Sequence, residues 1–387
     1  MMTAHRPDPP GPPADGDAFG SDVVDRVRAA GGMWALPGGE LRMPRVFGFC
    51  RGVTRALSML QEAVAADRED PGHLYLLGEI IHNPWVNAYV QQCGVRILTG
   101  ESLANPETVL TARDVAVIPA FGVPLQIQRH LEMIGCRIVD TSCGDVRRLW
   151  AWATRAVGDG YGIVIFGRDA HDETIVTKSR LESAGGRYVV VGDLDQTRRL
   201  CELIATDAGS GAFGRAFTPP ATNARSAAPF ARIAQVSQTT MLYDQTIEVR
   251  RLLHEALVAR YGAAEADERL IFEPTVCRAT QDRQASAIDL CRSGVDLVVV
   301  VGGYGSSNTR HLFELAAQHT PAWFIEDADS IRSAEEILAL DAAANKPEIA
   351  RDWLPVKRPV RIGVLAGASS PEVVVGQVLQ RLAELLG

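Results

Sequence analysis

Apolar residues along the chain alternate between short continuous blocks and stripes at helical spacing. In "RVFGFC", Val46 and Phe47 read as the end of a strand, and Val53, Ala56, Leu57, Leu60 and Val64 then recur three and four apart. The same succession returns twice. "CRIVDTSC" ends at Cys143 and leads to Val146, Leu149, Trp150, Ala153 and Val157. "RLIFEPTVC" ends at Cys277 and leads to a weaker stripe of Ala279, Ala287, Ile288 and Cys291. Each stripe is followed by an apolar block with a polar end: "LYLLGEIIHN", "GIVIFGRDAHDE" and "DLVVVVGGYGSSN". His82, His171 and Ser306 thus lie 32, 28 and 29 residues beyond their cysteines. A further helix and strands close each set on "VAVIPAFGV", "IAQVSQTT" and "RIGVLAGASS".

Short apolar strands alternating with helices predict parallel sheets covered by helices on both faces. Three diverged copies of one α/β unit are expected, over residues 21–143, 144–270 and 271–387. In such sheets ligands bind beyond the carboxyl ends of the strands. A pseudo-threefold arrangement would therefore bring three cysteine-bearing strand ends to one point, ringed by the polar ends of the second strands. Three stretches fall outside the repeat. Residues 1–20 read as a disordered tail. Residues 207–231, rich in Gly, Ala, Ser and Pro, read as a surface insertion or flexible loop. Residues 341–359 read as a partly helical excursion before the last strand.

Composition narrows the function. The 387 residues are 47% hydrophobic with a net charge of −8, which argues against a nucleic acid or an anionic membrane held by bulk electrostatics. A local cationic pocket remains compatible with that charge. No apolar run approaches the ~18 residues of a membrane span, and the first twenty residues lack an apolar signal core, so a cytoplasmic protein is expected. The seven cysteines are scattered, odd in number and free of any CxxC pair, which is not a disulfide framework.

Three convergent cysteines suit two kinds of site. A structural zinc fills four protein positions, whereas a [4Fe–4S] cluster on three thiolates leaves one iron open to a substrate oxygen. The polar second layer favours the open site. Ser306, Ser307 and Asn308 precede the helical stripe of "TRHLFELAAQ". They are good N-caps, and a helix N-terminus bearing hydroxyl and amide donors is also a natural phosphate site.

The motifs "GFCRGVTRA", "GEIIHNPWVN", "VIPAFGV", "VDTSCGDV", "GRDAHDETIVT", "SQTTML", "TVCRATQDRQ", "VGGYGSSNTRHL" and "LAGASSPE" occur in order over about residues 21–387. Together they resemble the IspH/LytB reductases, iron–sulfur enzymes of the last step of the non-mevalonate isoprenoid pathway. "PAFG", "HDET", "QTTML", the segment "SDVVDRVRAAGGMW" and the stretch before the last strand are similar to the longer plant and cyanobacterial type. Phe121, where the shorter type carries a diphosphate-contacting histidine, fits that type too.

The resemblance implies a trefoil of three α/β units with mainly parallel sheets around a central iron–sulfur site. It implies reductive removal of the hydroxyl of (E)-4-hydroxy-3-methylbut-2-enyl diphosphate, giving isopentenyl and dimethylallyl diphosphate, with electrons from a ferredoxin or flavodoxin. Cys50, Cys143 and Cys277 would hold a [4Fe–4S] cluster. Glu173 matches the proton donor, His171 would orient the chain there or bind diphosphate, and His82, Thr239 and Ser369 match the remaining pocket positions. The alternatives are a sister [4Fe–4S] dehydroxylase with a different substrate and a catalytically silent iron–sulfur protein.

Three departures flank the cysteines. Gly144-Asp145 stand where plant-type members carry Pro-Trp, Arg51 replaces a Trp and Arg278 replaces an Asp. An acidic residue moved from the third unit to the second, with arginines in the other two, predicts that Asp145 pairs with Arg51 or Arg278 at roughly 4 Å or less.

Overall fold

The computed structural model describes residues 18–67 and 73–387. Residues 1–17 of the expected tail lie outside them, but the tail does not extend to residue 20. Phe19 is 8% exposed, with its ring 5.3, 6.1 and 5.1 Å from those of Phe49, Trp85 and Tyr89, and its carbonyl accepts from Val373 N. The chain divides into two compact units, one of residues up to Ile97 together with Ala279–Gly387, the other of Leu98–Arg278.

In the first unit a five-stranded sheet runs Met33–Leu36, Gly39–Arg42, Val360–Ala366, Leu297–Val301, Ala322–Ile325. All neighbours are parallel except the Met33–Leu36/Gly39–Arg42 hairpin. The central strand "LVVVV" explains its own composition. Leu297, Val299 and Val301 face helices Asp22–Ala29 and Glu372–Leu386, through Val24, Val378 and Leu382 among others. Val298 and Val300 face Leu290 of helix Arg278–Arg292 and Leu312 of helix Ser307–Ala317. A strand covered on both faces has no polar side, so it reads as a continuous apolar run.

The second unit repeats this logic in a four-stranded, all-parallel sheet ordered Leu270–Phe272, Ile233–Ser237, Gly162–Phe166, Tyr188–Val191. Ile163 and Ile165 pack against Leu149, Trp150 and Ala153 of helix Gly144–Gly158, while Val164 and Phe166 pack against Leu200, Leu253 and Phe230. Strands Val115–Ile118 and Arg137–Asp140 form a further parallel pair. The architecture is α/β with mainly parallel sheets, as expected.

Four local expectations are corrected. Val46 and Phe47 lie in an irregular segment, because strand Gly39–Arg42 ends before Pro44, which has no N–H to continue a ladder. Residues 207–231 are not a surface loop: they hold helix Ser210–Ala216, and Phe213 and Phe230 are fully buried in the core of their unit. Three phenylalanines at 213, 217 and 230 outweigh the surrounding small residues. The excursion at 341–359 is not helical. It is centred on an antiparallel hairpin of Glu336–Asp341 and Lys346–Arg351, turned by Asn345 at φ +52°. Finally, Val64 and Val157 lie at the edges of their helix faces, where Ala63 and Ala156 are the buried residues. Among the described residues, no helix is long and apolar enough to cross a membrane.

Candidate active site

Cys50, Cys143 and Cys277 share a local setting that the other cysteines lack. Each is half-buried and stands immediately before a long helix: Arg51–Ala66, Gly144–Gly158 and Arg278–Arg292 respectively. At Cys50 the sulfur itself takes the N-cap role, accepting from Val53 N at 3.4 Å. Sulfur atoms so placed meet the unsatisfied N–H groups of a helix start, the kind of hydrogen bond by which proteins tune iron–sulfur clusters. By contrast, burial pushes the thiols of Cys136 and Cys291 up, and that of Cys201 up to about 12 with help from Glu255 and Glu202. Cys93 caps the C-terminus of helix Pro84–Gln92. Cys50 belongs to one unit and Cys143 and Cys277 to the other. Among the described residues, no group of three or more His, Cys, Asp or Glu stands in metal-binding geometry. The fit to a cluster therefore rests on the donor set and its three helix starts.

In the Leu98–Arg278 unit, the polar end of strand Gly162–Phe166 leads into helix Asp172–Ser183. Its N-cap is His171, whose Nδ1 accepts from Glu173 N at 3.2 Å. A ring nitrogen that accepts a backbone N–H leaves the proton of the neutral ring on Nε2. Glu173 is 4% exposed and Thr239 5%. Glu173 Oε1 accepts from Thr239 N and Oε2 from Thr239 Oγ1, both at 2.6 Å. The carbonyl of the same Thr239 accepts from Cys277 N at 3.0 Å. One residue thus connects the buried carboxylate to a candidate ligand cysteine.

Gln238 next door is the brace. Its Oε1 accepts from Arg168 N at 3.1 Å, its Nε2 donates to Thr240 Oγ1 at 2.8 Å, and a Cβ on Gly167 would meet its own Cβ at 2.9 Å. Lys178, buried on the Glu173 helix, donates to the carbonyls of Asp169 at 2.8 Å and Pro220 at 3.0 Å. Burial holds its ammonium below the usual lysine range. Ahead of Cys143, burial alone would raise Asp140, but hydrogen bonds from Ser142 and Arg147 outweigh it and hold the carboxyl low.

The other unit carries the remaining predicted residues. Ser306 is the N-cap of helix Ser307–Ala317. Its Oγ accepts from Thr309 N at 3.3 Å and lies 3.0 Å from Thr309 Oγ1 and 3.2 Å from Ser369 Oγ. Ser307, Asn308 and Ser369 are all buried. Asn308 Oδ1 accepts from Ala368 N at 3.0 Å, and the Ala368 carbonyl accepts from Cys50 N at 3.2 Å. Gly367 makes this possible, since a Cβ there would fall 2.0 Å from Thr309 Oγ1. His82 joins the same loop: its Cβ lies 3.8 Å from a Cβ built on Gly305, and its Nδ1 is 3.1 Å from Glu79 Oε2. The structure therefore brings Glu173, His171, Thr239 and Cys277 together in one unit, and Ser306, Ser307, Asn308, Ser369, His82 and Cys50 in the other.

The pairing expected of Asp145 is not the one formed. Asp145 pairs with Arg148 of its own helix, at 3.7 Å, with both side chains half exposed. A carboxylate in the first turn is favoured by the helix dipole, and a partner three residues on is always within reach. No arginine beside another cysteine is needed.

Sequence reasoning missed Gln238, Lys178, Thr280 and Arg283. All are polar residues at buried positions, and the weak apolar stripe after Cys277 was the signal for Thr280 and Arg283.

Comparison with known proteins identifies the family. The sequence profile described as LytB protein matches residues 42–383. The 4-hydroxy-3-methylbut-2-enyl diphosphate reductase of Thermosynechococcus vestitus is 32% identical over 375 residues, covering 95% of this chain and 90% of that one. The reductase of the same name from Gloeobacter violaceus is 34% identical over 377 residues, covering 95% and 88%. Among solved structures, an (E)-4-hydroxy-3-methyl-but-2-enyl diphosphate reductase, the terminal enzyme of the non-mevalonate pathway, matches with TM-score 0.51 and 25% identity over 89% of this chain and 99% of that one. An E-1-hydroxy-2-methyl-but-2-enyl-4-diphosphate reductase from Plasmodium falciparum matches with TM-score 0.62 and 20% identity, over 88% and 87%. With this coverage on both sides, the chain belongs to the LytB protein family.

Proposed function

We infer that the chain is a 4-hydroxy-3-methylbut-2-enyl diphosphate reductase, which takes two electrons and two protons to replace the allylic hydroxyl of its substrate by hydrogen. Water leaves, and the products are isopentenyl and dimethylallyl diphosphate. The observation that carries this reading is the chain Glu173–Thr239–Cys277, a buried carboxylate hydrogen-bonded to the residue that holds a cysteine at a helix start. Cys50, Cys143 and Cys277 would hold a [4Fe–4S] cluster, which would supply electrons and Lewis acidity toward the hydroxyl oxygen.

The remaining work falls to the chain's own side chains. Hydroxide is a poor leaving group, and Glu173 supplies the proton that lets it depart as water. Thr239 suits that task because a hydroxyl both donates and accepts: it donates to the carboxylate when Glu173 is ionised and accepts from the carboxyl when Glu173 holds the proton. His171 fixes the start of the Glu173 helix and presents Nε2–H for the substrate. Ser306, Ser307 and Asn308, at a helix start with no acidic residue in its first turn, bind the diphosphate together with Ser369 and His82. Arg45 and Arg51, both exposed and close in sequence to Cys50, give an acidic ferredoxin or flavodoxin a positive surface. The three strand–cysteine–helix repeats, residues 21–143, 144–270 and 271–387, are read as the three lobes of the trefoil. The charge of Asp145 is answered by Arg148, so that departure gives no reason to assign another substrate.

Anaerobic reconstitution followed by turnover with dithionite and a viologen tests the reading. Conversion of the allylic diphosphate to the two named products is expected. A fully loaded [4Fe–4S] protein that leaves the substrate unchanged would overturn it.

A further inference from the structure

We infer that Arg283 is a positioning residue of the iron–sulfur site, a buried clamp that fixes the segment leading to Cys50 against the helix that begins directly after Cys277. The inference rests on the cluster assignment above. Arg283 is 5% exposed. Its Nη2 donates to the Gly48 carbonyl at 2.6 Å and its Nη1 to the Ala279 carbonyl at 2.9 Å. Gly48 lies two residues before Cys50 and Ala279 two residues after Cys277, so each is at most about 7.6 Å, two Cα steps, from its cysteine Cα.

The segment from Pro44 to Cys50 has no regular structure, and Gly48 adopts φ +73°. A side chain therefore supplies the donor that a strand neighbour would otherwise give. Burying a guanidinium is costly, and the two carbonyls offset part of that cost. The planar fork of arginine holds its two donors in a fixed geometry, which the single flexible ammonium of a lysine at this position does not reproduce. The two carbonyl partners are neutral.

The test compares Arg283→Lys, which keeps the charge and loses the fork, with Arg283→Met, which loses both. Leu290→Ala, on the same helix and facing the core, controls for simple loss of packing. Each protein is reconstituted anaerobically, challenged with an iron chelator and titrated for its midpoint potential. Arg283→Lys is expected to lose its cluster at least about tenfold faster than wild type, the scale of outer-shell ligand support, with its potential near wild type. Arg283→Met is expected to lose it as fast and to show a lower potential, a tenfold smaller reduced-to-oxidised ratio at fixed potential being about 59 mV. Leu290→Ala is expected to retain the cluster. Should Arg283→Met not fold, Arg283→Lys decides through its chelation rate. Wild-type retention in Arg283→Lys, or equal loss in Leu290→Ala, would overturn the inference. A wild-type protein that takes up no cluster would instead overturn the proposed function beneath it.

Discussion

Helices Asp172–Ser183 and Ser307–Ala317 begin in the same way and end up with opposite chemistry. Each follows a fully buried parallel strand, each is capped by a side chain that accepts a backbone N–H (His171 Nδ1, Ser306 Oγ), and each buries polar residues in its first turns. The first carries Asp172 and Glu173 there, and the buried Glu173 takes both donors of Thr239. The second has no acidic residue in its first turn and offers only hydroxyls, an amide and backbone N–H groups. A helix start attracts negative charge in either case. In one it is filled by the protein's own carboxylate, the proposed proton donor; in the other no acidic residue occupies the first turn, which suits the proposed diphosphate site. One residue type separates the proposed acid site from the proposed anion site.

The comparison can be broken most severely at the cysteines. Cys50→Ser, Cys143→Ser and Cys277→Ser should each abolish iron uptake and turnover, measured by iron content and visible absorption. Cys136→Ser, Cys201→Ser and Cys291→Ser should lose neither, beyond packing losses, because Cys136 and Cys291 are buried and Cys201 packs against the core of its unit. A normal cluster after loss of any of the first three would remove the basis for both half-sites.

The anion side is sharpened by Ser306→Ala combined with Ser369→Ala. A hydrogen bond to a charged group is worth ~1.5–3 kcal/mol, so KM for the diphosphate should rise at least tenfold while kcat changes little. A fall in kcat at constant KM would move these serines into the chemistry.

On the acid side, Thr239→Val keeps the backbone donor to Glu173 and removes the hydroxyl. Loss of one such bond should lower kcat about tenfold with KM near wild type, the reverse split from the serine pair. The smallest effect is expected from Asp145→Asn. An exposed pair contributes ~0–1 kcal/mol, so thermal stability should shift slightly and iron uptake should not change. Impaired iron uptake would return Asp145 to the site.

The alternation of strands and helices was legible because the central strands are buried on both faces and show as apolar blocks. What stayed illegible has physical causes. Helix Arg278–Arg292 buries Thr280, Arg283 and Gln284, so its apolar stripe is weak where its structural importance is high. Residues 207–231 hide Phe213 and Phe230 among small residues. The hairpin of Glu336–Arg351 is largely exposed on its second strand and therefore has no apolar alternation to read. At the site, the repeat pointed to the three cysteines and to strand ends at His171 and Ser306. The contact of Glu173 with Thr239 spans 66 residues, and no local spacing encodes it; the resemblance to a family singled out both residues and the fold brought them together.

The central claim is that Glu173 carries the proton, and Glu173→Gln tests it most directly. The substitution keeps size and hydrogen bonding but has no acidic proton to deliver. Cluster-loaded enzyme should bind the allylic diphosphate almost as wild type does, while turnover with dithionite and a viologen falls at least ~10²-fold, the low end for general acid catalysis. Turnover close to wild type at unchanged affinity would contradict the account and assign the proton to another group.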